Sequence, residues 1–256
     1  MVVDPILVVG AAVVGLCVGS FLNVCIVRLP NDLSLLRPPS ACPRCKHPIA
    51  WRDNIPVVSW LLLKGRCRHC REPIASQYPI IEAVVAVLWV GAVLLYGVTP
   101  RALAAALFGT ILLGIAVTDA RHYLIPDEYT WGGLVLGLGL SVTGGGAGFR
   151  HAVLGAAVGF ALLFAVAQAG RWAFKEEAMG GGDIKMMAMV GSFLGWKGVF
   201  LTVFLGALLG SLIFVPLSLK KKRLVPFGVF LALGAALAFV FGDAIISWYL
   251  HFVRSD

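Results

Sequence analysis

Long apolar stretches alternate with short polar ones along most of this chain, and one polar stretch breaks the rhythm. Apolar runs occupy residues 6–27, 79–97, 102–118, 131–143, 152–170, 184–196, 199–218 and 226–250. About 20 consecutive apolar residues cross a bilayer as a helix. The pattern therefore predicts an all-α polytopic membrane protein with about eight transmembrane helices. The fourth and sixth runs are short for a full crossing; they fit a locally thinned bilayer or draw in neighbouring loop residues. Only residues 28–78 form a long polar stretch. The chain thus divides into a first helix (1–27), a small solvent-facing module (28–78) and a membrane core (79–256).

Composition agrees with this division. Hydrophobic residues make up 59% of the chain, charged residues only 13%, and mean hydropathy is +0.91. A soluble protein would carry about 25% charge. The first run follows Met1, Val2, Val3, Asp4 and Pro5, with no basic segment before it. Gly19 and Ser20 imitate a cleavage site, yet the apolar run continues past them, so an uncleaved first span is expected.

The net charge of +8 invites a nucleic-acid reading. Its distribution favours another. If the N-terminus lies outside, 17 of the 21 Lys and Arg residues fall on one side of the membrane. They are Arg28 to Arg71 in the first loop, then Arg121, Arg171, Lys175 and Lys185, then Lys220, Lys221, Lys222 and Arg223. Only Arg101, Arg150, Lys197 and Arg254 fall on the other. Basic residues mark cytosolic loops, so this asymmetry puts the module in the cytosol and both termini outside. No aromatic-interleaved basic groove exists to read bases, and no nucleic-acid partner is expected.

The module carries Cys42-Pro43-Arg44-Cys45 and Cys67-Arg68-His69-Cys70, with 21 residues between the pairs. Two C-x-x-C pairs at about this separation present four thiolates for tetrahedral zinc. The competing reading is two disulfides, which a reducing cytosol disfavours. A structural metal would hold a polar loop too short to build its own core. His47 and His69 lie beside the pairs, but a four-Cys site does not need them. Cys17 and Cys25 belong to the first span, where packing is their expected role.

Two aspartates carry the candidate chemistry. Asp119 closes the third apolar run; Asp183 follows Gly180, Gly181 and Gly182 and opens the sixth. The charge asymmetry sets both at the cytosolic edge of the membrane. A carboxylate at a membrane helix end costs free energy to keep there and usually has a function. Two close carboxyls share one proton, so one can activate a water while the other donates to the scissile amide. The glycines can adopt angles closed to other residues and let a substrate strand approach. The alternative is a flexible loop with Asp183 capping the next helix. Asp127 is a third carboxyl, read as a helix cap followed by Glu128 in the first turn. Glu82 enters the second span and reads equally as a bundle-facing charge or as a contact to substrate or cofactor. Other catalytic signatures, G-x-S-x-G, H-E-x-x-H and a Walker loop, are absent. The cluster Gly144 to Gly148 reads as a flexible outer turn.

These motifs together resemble the type IV prepilin peptidases, over nearly the whole chain. Gly19-Ser20-Phe21-Leu22-Asn23-Val24 with Arg28-Leu29-Pro30 resembles that family's N-terminal motif. The two cysteine pairs, Asp53-Asn54-Ile55-Pro56 and Tyr78-Pro79-Ile80-Ile81-Glu82 resemble its cytosolic module. Asp119 with Ile125-Pro126-Asp127, and Gly180-Gly181-Gly182-Asp183-Ile184-Lys185, resemble its two aspartate motifs, the second being G-x-G-D. Pro226-Phe227-Gly228 resembles a late motif that usually continues with Pro; here Val229 follows, a departure expected not to touch the carboxylates.

The resemblance implies a two-step inner-membrane enzyme whose core, residues 79–256, is an aspartic peptidase. It would cut the basic leader of prepilins and pseudopilins, in type IV pilus and type II secretion systems, after Gly at the cytosolic face. It would then methylate the new N-terminal residue with S-adenosylmethionine, for which the sequence shows no separate motif. Two rivals differ in class. A proton- or cation-coupled transporter would use intramembrane carboxylates such as Asp243, and a non-catalytic scaffold would bind a partner through the metal loop. Nothing in the sequence sets the oligomeric state, and lipid is the one surrounding it demands.

Overall fold

The structure, a computed structural model, describes residues 4–175, 179–218 and 226–254. The basic run Lys220 to Arg223, part of the orientation argument, lies outside the described residues. Among the described residues eight α-helical elements make up most of the fold: α1 (Pro5–Arg28), α2 (Val58–Leu62), α3 (Gln77–Tyr96), α4 (Pro100–His122), α5 (Asp127–Val142), α6 (Phe149–Phe174), α7 (Gly181–Ser218) and α8 (Phe227–Arg254). Among the described residues there is no strand, only two isolated bridges in the module, Ala41 with Pro48 and Arg66 with Pro73.

Every predicted apolar run falls inside a helix to within one residue. Six of these helices, α1, α3, α4, α6, α7 and α8, are long and apolar enough to cross a membrane. Two details bear on the eight expected spans. The fourth run is α5, which at 16 residues is shorter than a full crossing. The sixth and seventh runs are two helices that meet at a kink at Gly195, φ 68 and ψ 177, and are labelled together as α7. That φ lies where only glycine is at ease, so the chain changes direction there without a loop.

The chain forms two compact units, Met1–Ala106 and Leu107–Asp256. In the first, α1 packs on α3 through two glycines one turn apart. A Cβ at Gly15 would stand 2.7 Å from Ala86 Cα, and one at Gly19 would stand 2.7 Å from Glu82 Cα. Helices lacking a hydrophobic drive in lipid associate through such small-residue faces. This contact fixes Glu82 against α1. Asp4 begins α1 by accepting the Ile6 amide at 2.9 Å, with Pro5 in the first turn.

The second unit repeats the device. Gly155 and Gly159 of α6 meet the backbone of α7 at Gly191 and Met187, and Gly234 of α8 meets Thr202 and Gly206 of α7. Buried Met186, Met187, Met189, Val190, Ile115, Leu163 and Leu231 fill the interior, and Phe108 stacks on Phe193 with centroids 4.5 Å apart. The outward faces remain apolar: Val87 and Leu95 in the first unit, Val135, Phe204 and Leu212 in the second, are all exposed. An apolar exterior of this kind is what hydrocarbon covers.

Candidate active site and metal centre

The carboxyl site is assembled from helix ends in the second unit. Asp119 lies one turn before the end of α4, where Tyr123 leaves the helix at φ 53 and returns its amide to Asp119 O at 2.9 Å. The Asp119 side chain is buried, 6% exposed. Its Oδ2 accepts the Val229 amide at 3.1 Å, and the Gly228 amide also bonds this carboxyl. Both donors belong to the first turn of α8, whose amides have no partner within the helix. A helix N-terminus favours negative charge in addition. The expectation that the Val229 departure leaves the carboxylates untouched is therefore corrected: residue 229 supplies one of the donors, which a proline lacks.

Asp183 sits in the first turn of α7 and interacts electrostatically with Asp119. Its Oδ1 is buried without a hydrogen-bond partner. Ile125 spaces the helices around the pair. A Cβ at Gly182 would lie 2.9 Å from Ile125 Cβ; one at Gly228 would lie 2.8 Å from Ile125 Cδ1 and 2.9 Å from Asp119 Oδ2. Glycine is needed at both positions for close approach. The angles of Gly180, Gly181 and Gly182 are not left-handed, so the freedom expected of that triplet is not what it uses. Gly180 and Gly181 are exposed, and a Cβ at Gly181 would meet nothing within 4 Å.

The capping alternatives resolve differently from expectation. Pro126, not Asp127, precedes α5, and Asp127 is its first residue. Both Asp127 oxygens accept from Lys185 Nζ at 2.7 Å, tying α5 to α7 beside the glycines. Asp183 lies two residues inside α7, past the cap position. Asp243, the carboxylate of the transporter reading, is exposed on α8.

The first unit holds the second site. The Sγ atoms of Cys42, Cys45, Cys67 and Cys70 all lie within 4.8 Å of one another. Cys42 and Cys70 are 3.8 Å apart, and none of these four cysteines is in a disulfide. Tetrahedral thiolate ligands about 2.3 Å from a metal would stand about 3.8 Å apart, whereas a disulfide needs about 2.05 Å. The donor set fits a metal ion. Amides of Cys45 and Arg44 bring the Cys42 thiol down to about 6. Cys70 is pushed up to about 11: the Glu72 amide pulls it down, but burial and the thiols of Cys67, Cys45 and Cys42 outweigh it. Four such sulfurs cannot all carry charge unless a cation joins them.

Each cysteine pair folds the same way, and sequence reading missed this. Cys42 N donates to His47 O at 3.0 Å and Lys46 N to Cys42 O at 2.9 Å. Cys67 N donates to Glu72 O at 2.9 Å and Arg71 N to Cys67 O at 3.0 Å. Lys46 and Arg71 have φ 58 and 60. The signal was present as a repeated C-x-x-C-x-x-P-I, ending at Ile49 and Ile74. His47 and His69 face each other between the knuckles, ring centroids 3.5 Å apart. Arg68 clamps Asp53 at 2.6 Å and, by that bond, holds its carboxyl below the usual range. Glu82 is 7% exposed, and its Oε2 accepts the Val57 amide at 2.7 Å.

A buried Asp119 and a partly buried Asp183 meet on the helix ends of a multi-pass membrane protein, with a four-thiol site elsewhere in the chain, an arrangement suited to a membrane-embedded aspartic-type hydrolase. Two family models match: the Bacterial Peptidase A24 N-terminal domain over residues 13–96 and the Type IV leader peptidase family over residues 106–215. The chain is similar to proteins named "Prepilin leader peptidase/N-methyltransferase". That of Aeromonas hydrophila is 35% identical, with 92% of this chain and 91% of that protein covered. That of Pseudomonas aeruginosa is 36% identical, covering 93% and 91%. The Myxococcus xanthus protein is 38% identical over 87% of this chain and 66% of its own length. No solved structure matches the chain. The chain belongs to the type IV leader peptidase family.

Proposed function

We propose that this protein cleaves the basic leader of type IV prepilins and pseudopilins after Gly, with Asp119 and Asp183 as the catalytic dyad, and then N-methylates the new terminus. The observation that carries the reading is the unequal pair: Asp119 held by the amides of Gly228 and Val229, Asp183 beside it with a bare buried oxygen.

The asymmetry divides the work. Amide donors stabilise the ionised form, so Asp119 is the base and Asp183 the acid. Asp119 takes a proton from water as the water oxygen bonds to the scissile carbonyl carbon. Asp183 gives its proton to the carbonyl oxygen. On collapse, the proton on Asp119 passes to the leaving nitrogen, Asp183 recovers a proton from the diol, and the C–N bond breaks. Both carboxyls return to their starting states. The exposed Gly180 and Gly181 leave the approach to the dyad open for an extended substrate segment, which Gly182 adjoins.

Zinc is the ion proposed for Cys42, Cys45, Cys67 and Cys70; it would fix the 28–78 loop and take no part in cleavage. S-adenosylmethionine, when bound, would supply a methyl group for the free N-terminal amine, whose proton would leave for solvent while the bonding pair stays on sulfur. The charge asymmetry supports a cytosolic placement of the module and dyad, with both termini outside a bacterial inner membrane. A prepilin, a basic leader followed by an apolar helix, would present its cut site at that surface. Incubating wild type and Asp119→Ala with a pilin-like substrate tests the reading. Site-specific cleavage by wild type alone supports the peptidase; none by wild type leaves the transporter and scaffold readings standing.

A further inference from the structure

The first unit contains a cavity of about 730 Å³ between α1, the start of α3 and the cysteine module. Its volume falls within the range of about 300–1,000 Å³ typical of small-molecule sites. Phe21, Val24 and Trp60 contribute apolar walls; Ser20, Asn23 and Glu82 bring polar groups. Two of those groups lack what burial normally demands. Asn23 is 3% exposed and gives its Nδ2 to Tyr78 O at 3.0 Å, but its Oδ1 has no partner. Buried acceptors are nearly always paired, so this one awaits a donor from outside the protein. Glu82 is bonded by the Val57 amide and the Ser20 hydroxyl, neither of them a cation. A buried carboxylate without a cation is costly.

The site is also built at some expense. Val57 is the centre of a tight turn, φ 60 and ψ −49, in which the Val58 amide donates to Pro56 O at 2.6 Å. A β-branched residue is strained there. The strain aims the Val57 amide at Glu82, just as the Gly19 contact presses Glu82 against α1.

Resting on the methyltransferase reading above, we propose that this cavity binds the methyl donor, with Glu82 facing the sulfonium cation and Asn23 Oδ1 accepting from an amino group of the ligand. The chemistry selects an adenosyl sulfonium over other small molecules. It offers apolar surface for the walls, N–H donors for Asn23 and a fixed positive charge for Glu82. The demethylated product is a neutral thioether, so Glu82 would distinguish donor from product.

The test measures binding, not turnover. Full-length protein in lipid nanodiscs is titrated with S-adenosylmethionine and with S-adenosylhomocysteine, and labelled donor is photo-crosslinked and its attachment mapped. Expected are crosslinks within residues 17–82. Glu82→Gln should weaken the sulfonium at least tenfold and the thioether much less. Val24→Phe, which fills the cavity, should weaken both. Metal content and thermal unfolding report whether each variant is folded. Equal affinities in folded Glu82→Gln, or crosslinks elsewhere, overturn the assignment. Crosslinking of a mature pilin N-terminal peptide here, with the donor elsewhere, overturns it too and makes the cavity an acceptor site. Wild type that transfers no labelled methyl group at all fails the underlying methyltransferase reading, a separate result.

Discussion

The Val229 amide donates to Asp119 Oδ2 across 3.1 Å, joining the first turn of α8 to the last of α4 over 110 residues of sequence. The residue that follows the Pro-Phe-Gly motif thereby acts directly on Asp119. Val229→Pro removes this donor at a helix position that tolerates proline. A hydrogen bond to a charged group is worth roughly 1.5–3 kcal/mol, so the turnover number for cleavage should fall about tenfold or more. Val229→Ala keeps the amide and should stay near wild type. Indistinguishable cleavage rates for the two variants would show that the bond does not matter to the chemistry.

Glycines 182 and 228 should be far less replaceable than Gly181. A methyl group at 182 or 228 drives into Ile125, and at 228 also into the Asp119 carboxyl. Overpacking of this kind costs about 1–3 kcal/mol where neighbours can shift, and here the neighbour is the reacting group. Gly182→Ala and Gly228→Ala should lose most cleavage while remaining membrane-inserted and folded; Gly181→Ala should keep most of it. If Gly181→Ala is the most damaging, the glycines serve substrate approach and not helix closure.

Asp119→Asn and Asp183→Asn should each abolish cleavage without unfolding the protein. Asp127→Asn should be milder, because it gives up only a partly exposed pair with Lys185, worth about 0–1 kcal/mol. Asp119→Asn should still methylate a pre-cut substrate bearing a free N-terminal Phe. Methyl transfer needs an aligned amine, not an activated water. Kinetic assays on intact and pre-cut substrates separate these outcomes, and joint loss of both activities in a folded variant would indicate one shared site.

The sequence made the helices legible because each apolar run is long and bounded by polar residues. It made Asp119 and Asp183 stand out as candidates because carboxyls at span ends are costly. It did not reveal that the sixth and seventh helices meet directly at Gly195 with no loop between them. Gly195 looks like any membrane glycine until its φ is known, and Lys197-Gly198 imitates a loop. Nor did it reveal the tie between Val229 and Asp119, since a backbone amide has no signature in side-chain identity. Asp127 read as a cap because Asp favours that position; the register places Pro126 there and turns the Asp127 carboxylate to Lys185.

Removal of metal should separate structure from chemistry. Purified protein should hold about one zinc per chain through Cys42, Cys45, Cys67 and Cys70, measured by elemental analysis. The two knuckles share no helix, and the four thiols are their meeting point, so a cation that joins them closes the 28–78 loop. Chelation, or replacement of any one cysteine by serine, should open that loop to proteolysis between residues 28 and 78. The carboxyl pair belongs to the other unit and has no thiol among its described partners. Cleavage should therefore decline gradually and in part after chelation, while methyl transfer, whose donor cavity is proposed in the first unit, should fall more. Instant and complete loss of cleavage, restored at once by zinc, would instead give the metal a catalytic role.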